Sequence, residues 1–273
     1  MKKSFALAVV PMFLAAVAAC SDDDADPAAN TSSTSSSSST SSSGSSTSSS
    51  SSSTSSSSSG EPDKDAGNDG ASGATCGAAM KQLLVPVDKV STGEVTVIAT
   101  DGDTKTVFID ATAGGTGPVA SQNPRVYVNL ETLTRVEVTD ENADEATTWD
   151  LAIKRPILFT NSGQGGPGAG GAVLISKDFA AVVAADATGP TFKTERFVDD
   201  DCNPIVDLTN APLTSFDGWY DYNATRLTPH PGTWLVKGGT GKLYKLEILT
   251  YYANADGTEG PTSARYTIKV APL

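Results

Sequence analysis

Residues 242–252 read KLYKLEILTYY and residues 262–270 read TSARYTIKV. In both, apolar or aromatic side chains recur at every second position. That period belongs to a strand with one buried face, because successive side chains of an extended chain point to opposite sides. Asn254-Ala255-Asp256-Gly257 lies between the two runs and supplies turn-forming residues. The same texture extends backward along the chain. Residues 92–99 (TGEVTVIA) and 104–111 (TKTVFIDA) flank Asp101-Gly102-Asp103, a strong hairpin signal. Residues 125–130, 134–138 and 149–153 alternate, and short β-rich runs follow at 157–160, 172–176, 191–198 and 233–237. Residues 177–185 are the expected place for a short helix. The expected fold class is all-β, with mostly antiparallel sheets in a single domain, arranged as a sandwich or an open barrel. The absence of long helical patterns between the strands argues against a parallel α/β fold.

Ahead of this domain the chain changes character twice. Residues 1–20 read MKKSFALAVVPMFLAAVAAC: two lysines, a short uncharged apolar stretch, then Val17-Ala18-Ala19-Cys20. The apolar stretch is too short to span a bilayer as a stable helix, and the order of its parts is that of a signal peptide. Small residues before a terminal Cys resemble the bacterial lipobox, so Cys20 is expected to carry a lipid and residues 1–19 to be removed. Residues 31–59 comprise 23 Ser, 5 Thr and Gly44. Such a stretch has no apolar surface to bury and cannot offset its own ordering entropy. Residues 20–75 are therefore expected to form a lipidated, disordered Ser/Thr-rich linker, spanning roughly 40 Å root-mean-square. Residues 76–273 are left as the β domain. The acidic run Asp22-Asp23-Asp24 fits either an export signal or a solvated linker start. The anchored domain is thus expected at the bacterial outer membrane, facing the cell surface or the periplasm, with membrane lipid as a partner through Cys20.

Charge and composition exclude several functions. The chain carries 32 Asp and Glu against 19 Lys and Arg. That balance argues against nucleic-acid binding, which leaves a basic footprint. With three Cys and one His in all, four-Cys zinc sites and multi-His centres are ruled out. Once Cys20 is lipidated, Cys76 and Cys202 remain. In an exported domain they are expected to pair, the alternatives being free thiols or a metal pair.

Few motifs carry chemistry. Residues 161–171 read NSGQGGPGAGG; they lack the Gly-Lys-Ser/Thr of a phosphate loop and suggest a mobile loop or a lid over a ligand. Asp199, Asp200 and Asp201 lack the alternating spacing of a calcium loop and read as a solvated turn. His230 lies between Pro229 and Pro231, and no Gly-x-Ser-x-Gly elbow accompanies it. No catalytic residue is assigned, and the expected activity is binding without catalysis.

Several segments in order resemble the HmuY-type lipoproteins: Trp149-Asp150-Leu151-Ala152 leading into Thr160-Asn161-Ser162-Gly163, Val90-Ser91-Thr92-Gly93 before them, and Trp219-Tyr220-Asp221-Tyr222 and residues 244–252 after. The resemblance implies an outer-membrane lipoprotein that captures haem for iron acquisition and passes it to an outer-membrane haem receptor. Members of that family hold iron between two axial side chains, a His pair or a Met pair. This sequence has one His, and Met80 is its only Met after the leader. Neither pair can form within one chain, which leaves a mixed His230–Met80 site, a single ligand, or ligands shared between two chains. The candidate ligand contacts are His230, Met80, Trp149, Asn161, Trp219 and Tyr222, with His230 the candidate for haem iron. Against haem stands the same scaffold binding a peptide, a glycan or another tetrapyrrole. Trp149, Trp219 and Trp234 are candidate pocket aromatics for that alternative, although Trp at strand positions is usually core.

Overall fold

A computed structural model describes residues 76–112, 122–223 and 225–273. The expected signal peptide, lipidated Cys20 and Ser-rich linker lie outside the described residues. In chain order the elements are α1 (Gly77–Leu84), β1 (Val95–Asp101), β2 (Thr104–Asp110), β3 (Val126–Asn129), β4 (Thr134–Arg135), β5 (Leu151–Lys154), β6 (Ile157–Thr160), β7 (Gly171–Ile175), β8 (Tyr220–Asn223), β9 (Arg226–Pro229), β10 (Thr233–Lys237), β11 (Leu243–Thr250) and β12 (Arg265–Pro272). One sheet has the order β1-β2-β12-β11-β10-β7, a second β4-β3-β5-β6, and β8-β9 forms a separate ribbon. All strand pairs are antiparallel. Neither sheet closes, so the fold is a sandwich rather than a barrel.

Alternation decides which face each side chain serves. Val107, Ile109, Leu246, Ile268 and Val270 from the first sheet meet Val126, Val128, Leu151, Ile153 and Leu158 from the second in one buried cluster. Their neighbours point the other way. Tyr127, Ala152 and Phe159 lie on the outer face of the second sheet, with Trp149 and Phe197, beneath Leu83 and Leu84 of α1. A one-residue register slip would exchange the two sets, which is why the pattern was readable. The β1–β2 turn pairs Asp101 with Thr104. Gly102 takes φ +57° there, which a residue without Cβ adopts at little cost.

Several expectations need correction. Residues 191–198 form no strand; single bridges join Lys193 to Ala172 and Val198 to Pro204, and side chains satisfy the intervening backbone. Gln164 Oε1 accepts from both Phe197 N and Val198 N. Residues 134–138 contribute only Thr134–Arg135. Residues 177–185 do not form one helix: the chain makes two 3₁₀ turns, Phe179–Ala181 and Ala184–Ala187. Asp186 interrupts the helix by accepting from Val183 N and from Lys177 Nζ. Helix α1 and the β8–β9 ribbon were missed. The first is one short run, ended by Val85 in a left-handed conformation. The second is largely exposed and lacks an apolar stripe. No helix among the described residues is long and apolar enough to cross a membrane.

Candidate functional site

The residues singled out from sequence fall into three separate places. Trp149 and Asn161 lie together in the interior. Trp149 is fully buried, sits edge-to-face with Tyr127 and Phe159, and donates Nε1–H to Ala143 O. Asn161 is equally buried. Its Nδ2 donates to Ala146 O and Trp149 O, and its Oδ1 accepts from Gly168 N. The glycine-rich segment wraps this side chain. A Cβ at Gly168 would come within 2.7 Å of both Asn161 O and Gly239 Cα, so only glycine fits. Gln164 N and Ala169 N are also bonded, to Glu195 O and Gly239 O. The lid expectation is corrected accordingly: this loop is fastened to the core.

Two buried carboxylates complete that structure. Glu195 is 2% exposed. It accepts from Thr160 N, Thr160 Oγ1 and Ser215 N. Burial pushes its pKa above the usual carboxylate value, and these hydrogen bonds oppose the rise. Asp150 accepts from Leu130 N and Gly239 N; burial raises its pKa too. Trp149, Asp150, Thr160 and Asn161 thus fasten loops to strands, and Trp149 and Asn161 offer no free surface to a ligand.

Trp219, Tyr222 and His230 surround the β8–β9 ribbon. Trp219 is buried, stacked among Tyr220, Tyr251 and Tyr266, with Nε1–H donated to Pro156 O. Trp234 is buried against Phe216. All three tryptophans are therefore core, which removes the expected aromatic platform. Tyr222 is 66% exposed. The His230 backbone N donates to Trp219 O, and its Nε2 lies 2.9 Å from Asp221 Oδ1.

Met80 is elsewhere. It lines a cleft of about 260 Å³ between α1 and the outer face of the second sheet, with Arg125, Tyr127, Asp140 and Phe159. The cleft floor is an ion pair, Arg125 Nη1 to Asp140 Oδ2 at 3.0 Å, with both side chains almost wholly buried. Asp140 also accepts from Val87 N and Tyr127 OH. Arg125 Nη2 donates to Leu84 O. A disulfide joins Cys76, just before α1, to Cys202. The Asp199–Asn203 turn around Cys202 is closed by Asp199, which accepts from Asp201 N and Asn203 N.

A larger opening was not visible from the sequence. A groove of about 530 Å³ lies between the two sheets at one end of the sandwich. Leu130 and Leu133 form one wall; Leu243, Val270 and Pro272 form the other. Lys105, Lys242, Asp103 and Glu131 stand at the rim. Lys242 pairs with Glu131 across the mouth, and both side chains are more than half exposed. Tyr244 closes the inner end. It is 5% exposed, yet its hydroxyl forms no hydrogen bond with the described residues. Burial, then the charges of Asp150 and Glu131, push its pKa up to about 12, so the phenol stays protonated near neutral pH. The volume and apolar walls are those of a small-molecule site. The sequence signal was only the alternation of residues 243–246, which does not tell a groove wall from a core.

The sequence matches the HmuY protein family over residues 121–266, more than half of the chain. The chain belongs to the HmuY family. The match begins before β3 and ends inside β12, so it covers the whole second sheet and, of the first, β7, β10, β11 and the start of β12. Among solved structures, this HmuY-family chain is similar to a candidate lipoprotein of Bacteroides fragilis at 22% identity and TM-score 0.39, covering 66% of this chain and 95% of that one. It is also similar to a candidate HmuY-like haem-binding protein of Bacteroides vulgatus at 17% identity and TM-score 0.39, covering 66% and 99%. The apo form of a Tannerella forsythia HmuY analogue matches at 17% identity and TM-score 0.37, covering 68% and 100%. No curated protein matches the chain.

Proposed function

We propose that this chain is an exported, lipid-anchored binding module that captures haem or a related tetrapyrrole outside the cytoplasm. In this reading residues 1–19 are a removed leader, Cys20 carries the lipid, residues 20–75 are the tether and residues 76–273 bind the ligand. The anchor holds the domain at the outer membrane, where bound haem passes to a receptor for iron acquisition. HmuY-type proteins are binding proteins, and the reading assigns no catalytic step.

The observation that carries the reading is the groove at the open end of the sandwich, in a chain of a binding-protein family. Its apolar walls suit the face of a macrocycle. Lys105 and Lys242 at the rim suit the carboxylates of its edge. The Lys242–Glu131 pair across the mouth is solvent-exposed, a class of pair worth about 0–1 kcal/mol. A ligand carboxylate can therefore take over Lys242 at little cost.

Titrating the full chain with haemin and following the Soret band tests the reading. A saturable shift that weakens in Leu133→Glu, which places a charge in the groove wall, is the expected result. An unshifted band at all ratios overturns haem capture, and failure of protoporphyrin IX to bind as well overturns the whole reading. One observation favours a ligand other than haem: His230 and Met80 are held in different places, so the mixed iron pair left open by the sequence is not assembled.

A further inference from the structure

We propose that this domain holds its ligand without coordinating a metal, so that a metal-free porphyrin and haem bind the groove alike. The inference rests on the proposed tetrapyrrole site and goes beyond it.

Haem iron in proteins is held by His, Met, Cys or Tyr. Each candidate among the described residues is accounted for. The single His is on the β8–β9 ribbon beside Asp221, outside the residues that line the groove. Met80, the only Met after the leader, faces the α1 cleft. Cys76 and Cys202 are bonded to each other. Of the tyrosines, Tyr244 alone lines the groove. Its phenol is kept protonated by burial and by the carboxylates of Asp150 and Glu131, and a neutral phenol is a poor donor to iron. The groove does not fit an axially ligated haem.

What the groove offers is indifferent to the metal. Leucine, valine and proline side chains contact the face of a ring whether or not its centre is filled. Lys105 and Lys242 meet carboxylates at its edge. The Tyr244 hydroxyl forms no hydrogen bond with the described residues, and its ring lines the groove. It faces the groove, so a ligand acceptor atom that reaches it can take its hydrogen bond in place of water. Tyr244 is thus a positioning residue that selects ligands carrying an acceptor at their inner edge.

The test is a pair of titrations on the full chain, one with haemin and one with protoporphyrin IX, both followed by quenching of tryptophan emission. The expected dissociation constants agree within roughly threefold, a difference of under about 1 kcal/mol. Lys105→Ala and Lys242→Ala should weaken both ligands by the same factor, roughly twofold to fivefold each. Tyr244→Phe, which keeps the ring and its packing, should also weaken both equally. His230→Ala and Met80→Leu should leave the haemin constant and its Soret band unchanged. Haemin binding roughly tenfold or more tightly than protoporphyrin IX, or loss of haemin binding in His230→Ala or Met80→Leu, would overturn the metal-free proposal while leaving haem capture standing. If neither porphyrin binds, both readings fall.

Discussion

The glycine-rich loop and the inter-sheet groove are opposites in how they treat polar groups. Around the loop, Asn161 uses both amide hydrogens and its oxygen within the protein. Glu195 ties a strand end to two irregular segments. At the groove, the Tyr244 hydroxyl bonds to none of the described residues, and an exposed ion pair spans the mouth. The first region carries the residues that mark the family in sequence; the second carries the opening. A recognisable motif can therefore report how a scaffold is fastened, while the ligand surface is made of residues with no motif at all.

The largest expected effect comes from breaking the fastened side. Trp149→Ala removes a fully buried ring that touches Tyr127 and Phe159, and chemical denaturation should show a loss of about 3–5 kcal/mol. Glu195→Gln comes next. It sets an amide N–H₂ against either Thr160 N–H or Ser215 N–H, and the expected loss is about 1–3 kcal/mol. The same variant should change the pH profile. The folded-state pKa of Glu195 is raised, so the native state holds a proton that the unfolded chain has released. Its contribution to stability is fully present below the unfolded carboxylate pKa and declines as pH rises toward the folded one. Unfolding midpoints measured across the acid-to-neutral range should fall more steeply with pH in the wild type than in Glu195→Gln.

On the groove side the effects on stability should be small. Tyr244→Phe removes a hydroxyl that bonds to none of the described residues, so the denaturation midpoint should hold within about 0.5 kcal/mol while ligand affinity drops. Smallest of all is the Glu131–Lys242 pair. A double-mutant cycle should give a coupling of about 0–1 kcal/mol, shrinking as salt is added. A groove variant that costs as much stability as Trp149→Ala would erase the distinction between the two regions.

Much of the sandwich was legible because its faces obey a period of two. Val107 and Ile109, or Leu246 and Ile248, announce a buried stripe wherever they fall. Residues 191–198 misled for a related reason: Phe192, Phe197 and Val198 have strand-like side chains, but the Ser162 and Gln164 side chains bond the backbone of this segment. A side chain that replaces a neighbouring strand leaves no mark in a hydrophobic pattern. The ribbon β8–β9 was missed because exposed strands need no apolar stripe. The site was the least legible part. Trp149, Asn161 and Trp219 drew attention as chemically rich residues, and their chemistry is spent inside the protein. Tyr244 looked like one more inward residue of an alternating strand, since sequence does not record that it faces a groove. His230 and Met80 could be counted from sequence, but only the fold shows that they are apart.

The disulfide between Cys76 and Cys202 has a mechanical consequence. Everything from α1 through β7 lies inside the covalent loop it closes. Tension applied at residue 76 and resisted at β12 enters the chain again at Cys202 and bypasses residues 77–201. Those residues can be neither unwound nor stretched by such a pull while the bond is intact. The second sheet and the Asn161 fastening belong to this shielded part. The load falls on the segment from Cys202 onward, where β10, β11 and β12 resist as neighbouring strands of one sheet. A domain tugged from its N-terminal side would keep one wall of its groove unloaded and bear the strain in the other.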